Sequence, residues 1–152
     1  MTEFSKIKWM LRLLGWFKIP MIGYVHPRLI SIDDEKVVVK IKLHRRTKNH
    51  LNSMYFGALA VGADVAGGIH AFYYAKRMNK KVSFAFKGMN SNFLKRAEDD
   101  VTFESNDGKK VELAIKRSIE TKERINEKTL VKCFSKDELI AEFEMIVSVK
   151  CY

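Results

Sequence analysis

Residues 54–75 read MYFGALAVGADVAGGIHAFYYA, with no Lys, Arg or Glu until Lys76. Wound as a helix, this run is apolar on nearly every side, and a helix of that kind must be enclosed by the rest of the chain. Its many small residues, among them Gly57, Ala60, Gly62, Ala63, Ala66, Gly67 and Gly68, weaken helix propensity at each Gly but let neighbouring backbones approach closely. The run is long enough to cross a bilayer, yet Asp64 near its middle and His70 beyond it would be costly there. The sequence therefore predicts a buried helix from Met54 to about Met78.

On either side the period changes from helical to alternating. Tyr24 to Ile32 and Lys36 to Leu43 alternate apolar with polar residues around a turn at Asp33, Asp34 and Glu35, which reads as a hairpin. Val82, Phe84 and Phe86 begin a strand that can extend to Leu94. A further strand over Asp100–Glu104 leads to a turn at Asn106-Asp107-Gly108. Lys109 to Arg124 steps at helical spacing through Val111, Ile115 and Ile119 and reads as a surface helix. Two last strands run from about Lys128 to Phe134 and from Glu138 to Val149. Ahead of all these, Thr2 to Phe17 places Phe4, Ile7, Met10 or Leu11, and Leu14 on one helical face, with Gly15 and Pro20 as terminators. The expected class is α+β, in the order helix, two strands, buried helix, two strands, helix, two strands.

The chain has 152 residues, the length of one domain able to bury a substantial core. Its 28 Lys and Arg against 18 Asp and Glu give a formal charge of +10, which favours polyanionic partners: nucleic acid, an acidic membrane surface or a phosphorylated cofactor. No nucleic-acid-binding motif accompanies the charge, so nucleic acid is not the expected partner. The leading segment is too short and too charged to span a bilayer, and no signal-peptide cleavage pattern follows it. It reads as a helix capping the sheet. The alternative is a basic amphipathic segment lying on a membrane, for which Trp9, Trp16 and Phe17 are suitable residue types. Cys133 and Cys151 show no metal or disulfide spacing and read as reduced thiols of a cytoplasmic protein.

Local motifs sharpen this reading. Asn49-His-Leu-Asn-Ser-Met-Tyr-Phe-Gly57, followed by Ala63-Asp64, resembles the motif of the PaaI-like acyl-CoA thioesterases of the hotdog superfamily. There an Asn precedes a His-Gly-Gly and an acid follows down the helix. Asn92-Phe-Leu-Lys-Arg-Ala97 resembles the hotdog Phe-Leu-x-Pro-Ala segment with Arg96 in the Pro place, and Asp100 the acid that follows it. The ending Ala141–Lys150 resembles the last strand of an uncharacterised PaaI-like subfamily. Tyr55 and Phe56 stand where the family has His and its first Gly. The resemblance implies a hotdog domain over residues 1–152, with a leading helix at 1–19 and a core at 24–150. In such a domain a curved antiparallel sheet of about six strands wraps a central helix. It further implies a homodimer or dimer of dimers, and hydrolysis of an acyl-CoA or related thioester. No cofactor is expected except coenzyme A as part of the substrate, and no metal.

Thioester hydrolysis needs an attacking group on the carbonyl carbon and donors aimed at the developing oxyanion. Asp64 is the expected catalytic carboxylate, as general base or nucleophile, because its apolar surroundings raise its pKa. Asn49 is the expected holder of the carbonyl or of water, with loop or helix capping as its alternative role. If the helix starts near Ser53, the first-turn amides of Phe56 and Gly57 supply an oxyanion site. His50, Tyr55, Arg46, Lys48, Lys95 and Arg96 are the expected substrate contacts, the cations among them for coenzyme A phosphates. His70 reads as a satisfied core residue. The alternative function is a hotdog module that binds an acyl or lipid ligand without turnover, which Tyr55 and Phe56 at the expected cavity mouth would suit.

Overall fold

The computed structural model describes residues 1–152. Six antiparallel strands form one sheet: β1 (Arg28–Ile32), β2 (Val37–Ile41), β3 (Val82–Phe93), β4 (Val101–Ser105), β5 (Ile125–Ser135) and β6 (Glu138–Cys151), in the order β1-β2-β4-β5-β6-β3. Alternation sets which side chains face inward. Val37, Val39 and Ile41 of β2, Val101 and Phe103 of β4, and Phe143, Met145, Val147 and Val149 of β6 are all buried. Each such side chain contributes on the order of 1.5–3 kcal/mol of hydrophobic stabilisation.

The helix α3 (Phe56–Arg77) lies across this inner face against β2 to β6, and α4 (Gly108–Thr121) packs beside it on β5 and β6. Enclosure explains the composition of α3. A Cβ on Gly62 would run into the ring of the fully buried Phe103, so the helix reaches the sheet only without a side chain there. The far end of α3 is tied to the β1–β2 turn. His70 Nε2 donates to the Asp33 carbonyl at 2.9 Å, Tyr74 donates to the Asp34 carbonyl at 2.5 Å, and Tyr73 and Arg77 both bind the Asp34 carboxylate. His70 is thus a satisfied core residue, and burial holds its pKa below the usual value.

Several boundaries differ from expectation, each for a local reason. The leading helix spans Glu3–Lys18, close to the expected extent, and a second helix follows it. α1 (Glu3–Leu13) is capped by Thr2, whose Oγ1 accepts from Ser5 N, and it runs into a π-helical turn (Leu14–Lys18). α2 (Pro20–Val25) follows, so Pro20 opens a helix at the position where its missing N–H costs nothing. Gly15 does not end the first helix. It lies against Gly23, with a hypothetical Cβ on Gly15 2.9 Å from the Gly23 Cα, so the pair lets the π turn and α2 meet backbone to backbone. The first strand consequently starts at Arg28, not Tyr24. Gly108 opens α4 instead of closing a turn, and the last two strands are longer than predicted.

Candidate active site

The loop before α3 is organised by Asn49. Its Oδ1 accepts from Leu51 N at 2.9 Å and from Ser53 N and Ser53 Oγ, each at 3.2 Å. The backbone closes the same loop through Asn49 N to Ser53 O and Asn52 N to Asn49 O. This delays the helix from the expected Ser53 to Phe56, with Tyr55 as its N-cap. Two backbone amides oblige the Asn49 atom they meet to be oxygen, so the side-chain NH2 faces away from the loop as a fixed donor with no partner. The capping role and a donor role coexist in one side chain.

The first two amides of α3, at Phe56 and Gly57, donate to nothing within the chain, whereas those of Ala58 and Leu59 both reach the Tyr55 carbonyl. Two unpaired N–H groups at the positive end of a 22-residue helix are donors of the kind that can accept an anion. Gly57 has no room for a Cβ because the Tyr55 ring covers it. The bulk of Phe56 is turned aside, with its ring 4.7 Å from that of Tyr55 and edge-on to Phe93 at 6.5 Å.

Asn49 and Phe56, though not Gly57, border one cavity of about 500 Å³, whose lining also includes His50, Tyr55, Lys95 and Arg96. Lys95 is also paired with Glu138 at 3.1 Å, both side chains being exposed. Arg46 and Lys48 do not join them: Arg46 lies over the ring of Tyr24, and Lys48 forms an isolated bridge with Met54. Asp100 accepts from Leu43 N and pairs with Lys40, a structural role.

Asp64 opens into a different cavity, of about 480 Å³, between α3, the start of β3 and the N-terminal helices. Apart from Lys18 and Ser83 its surroundings there are apolar, with Met10, Leu14, Ile19 and Phe72 among them. The carboxylate is half-buried and has neither a hydrogen bond nor an ion pair. Burial alone pushes its pKa from 3.8 up to about 6. In one copy of the chain the two halves of the expected chemistry are therefore apart. Gly57 and Asp64 share a face of α3, seven residues and about 10 Å along its axis from each other.

A family model described as a domain of unknown function matches residues 8–132. The chain belongs to that family, DUF4442. No curated protein matches it. The DUF4442 chain has the hotdog fold of structures that include a provisionally assigned thioesterase from Shewanella oneidensis, with a TM-score of 0.82, 13% identity, and 96% of this chain and 99% of that one covered. A protein of unknown function from Chlorobaculum tepidum gives 0.85 at 11% identity, covering 97% and 96%. Zebra fish thioesterase superfamily member 2 gives 0.65 at 13%, covering 99% of both chains.

Sequence reading missed one wall of the DUF4442 cavity at Asp64. Met10, Leu14, Ile19 and Ile22 supply it, and their helical spacing was visible, but the surface they cover was not. Ser83, which lines the same cavity, is held from below by Arg124 Nη2 at 2.9 Å, a contact over 41 residues that carries no local signal.

Proposed function

We propose that this protein is a thioesterase that hydrolyses an acyl-CoA or a related thioester at a site completed by two copies of the chain. The observation that carries the reading is Asp64: an unpaired carboxylate, facing a cavity and held near pKa 6, on the helix whose first amides are free. In hydrolysis Asp64 takes a proton from water as its oxygen bonds to the carbonyl carbon. The negative charge passes to the carbonyl oxygen, held by the Phe56 and Gly57 amides and the Asn49 NH2. Collapse then breaks the C–S bond, the proton held by Asp64 passes to the departing sulfur, and the thiol and the free acid leave with Asp64 again ionised.

Reacting groups must approach within about 3–3.5 Å, so a carboxylate about 10 Å from the amides of its own helix cannot serve them. Two-fold pairing of α3 resolves this. Its half-exposed stripe runs through Gly57, Ala60, Val61 and Asp64. An axis passing near Ala60 and Val61 places Gly57 opposite Asp64 of the partner subunit, and the reverse. The edge strand β3, 12 residues long and unpaired along one side, supports the same assembly. Lys95, Arg96 and His50 at the cavity border suit the phosphates of coenzyme A.

The test is thiol release from a panel of acyl-CoAs by wild type and Asp64→Asn, with light scattering on the same samples. The expected outcome is turnover that falls as pH drops below about 6, loss of turnover in the variant, and a mass at least twice 17.6 kDa. Equal turnover by the two proteins refutes the role of Asp64. A second reading, an acyl-binding module without turnover, is favoured by Tyr55 and Phe56 at the cavity border. Co-purified acyl ligand in a protein that releases no thiol would establish it.

A further inference from the structure

The side of the N-terminal helices that faces away from the core is apolar and basic at once. Ile7 and Leu11 are buried beneath α1, while Trp9 and Leu13 on the same helix, and Trp16 and Phe17 in the π turn, project outward, Phe17 with 75% of its surface exposed. Trp9, Leu13 and Phe17, at successive steps of four residues, line a groove of about 550 Å³ together with Lys6, Lys18 and Lys76. No carboxylate lines that groove, and Lys80 and Lys81 join Lys76 in the depression beside it. None of these five lysines belongs to an ion pair. Glu3, the only acid in the first 32 residues, is held by Arg77 at 3.3 Å.

We infer that this face docks on the surface of an anionic lipid bilayer, with Trp9, Leu13 and Phe17 entering the headgroup region and the lysines meeting lipid phosphates. Interfacial helices combine Trp, Phe and Leu with Lys and Arg in this way. Two-fold pairing with a second copy would set the lysines of this face against their own counterparts, so the charge selects a lipid surface over self-association. Trp9 and Trp16 meet edge to face, with ring centroids 6.5 Å apart, and offer no flat platform for stacked bases. The groove also shares Met10, Leu14 and Lys18 with the Asp64 cavity, so these side chains form the wall between the docking face and that cavity. The docking stands whether or not hydrolysis occurs.

The full-length protein is mixed with vesicles of phosphatidylcholine alone or with about 30% phosphatidylglycerol, and both co-sedimentation and tryptophan emission are read. Trp9 and Trp16 are the only two tryptophans, so emission reports this face alone. The expected result is binding with a blue shift on anionic vesicles only, weakened when ionic strength rises from about 0.05 to about 0.5 M. Lys6→Gln with Lys76→Gln should weaken binding about 30-fold, and Trp9→Ser with Phe17→Ser should remove the blue shift of Trp16. Binding indifferent to lipid charge, or no blue shift, overturns the inference. So does an oligonucleotide that produces the same shift, which assigns the face to nucleic acid. Emission already blue without vesicles, with a mass that falls in the Phe17→Ser variant, shows a second copy there and also overturns it. Thiol release from a short-chain acyl-CoA without vesicles, measured in parallel, separates failure of docking from failure of the hydrolysis reading.

Discussion

Neutralising Asp64 should stabilise the fold while it ends the proposed hydrolysis. The carboxyl sits in the interior of α3 with no donor or cation near enough to bind it, and burial moves its pKa from 3.8 to about 6. A rise of about two units favours the protonated form in the native state by up to about 3 kcal/mol. Because the group keeps contact with the solvent of its cavity, about 1–2 kcal/mol is the expected share. The sign follows from proton binding. Between about pH 4 and 6 the native state holds more protons than the unfolded chain, so stability falls as pH rises through that window and stays reduced above it. Asn carries no charge at any pH and has nearly the same helix propensity as Asp. Asp64→Asn should therefore match wild type in urea unfolding near pH 4 and exceed it by about 1–2 kcal/mol near pH 7.5. A variant that loses stability near pH 7.5 would refute the argument, since the carboxylate would then be accepting hydrogen bonds in the native assembly.

Asn49→Ala removes the acceptor of two loop amides and should cost about 1–3 kcal/mol in chemical denaturation. Asn49→Asp keeps that acceptor but loses the NH2, so near-native stability with at least about tenfold slower thiol release is expected if the donor acts on substrate. Gly23→Ala drives a methyl into the Gly15 backbone carbonyl, which has no side chain to move aside. A loss of about 1–3 kcal/mol by urea titration is expected, and an unchanged midpoint would contradict the backbone contact. His70→Leu removes the donor to the partly buried Asp33 carbonyl, and a melting experiment should show a loss of about 1 kcal/mol.

The enclosed helix and the alternating strands were readable because each pattern has one economical solution: Gly and Ala on every side of α3, Val and Phe on every second residue of β2, β3 and β4. Asp64 was readable for the same reason, as the single acid in an apolar run. The start of α3 was not, because Asn52 and Ser53 look like caps while the side chain of Asn49 closes the loop around them. Nor were the π turn and α2, since the residue that favours them, Pro20, signals termination and initiation equally. Arg46 and Lys48 were grouped with the site on sequence proximity. Lys95 and Arg96, also expected as substrate contacts, do line the cavity with Asn49, although about 45 residues separate them along the chain.

Asn49 and Asp64 face separate cavities of one subunit, so if the proposed site joins two copies, variants that each lack one of these groups should rescue each other. Asn49→Ala and Asp64→Asn chains, unfolded together and refolded in equal amounts, would form about half mixed dimers, each with one site drawn wholly from unaltered side chains. About a quarter of the native sites would return from two parents that have none, and their yield would count the chains that each site borrows from.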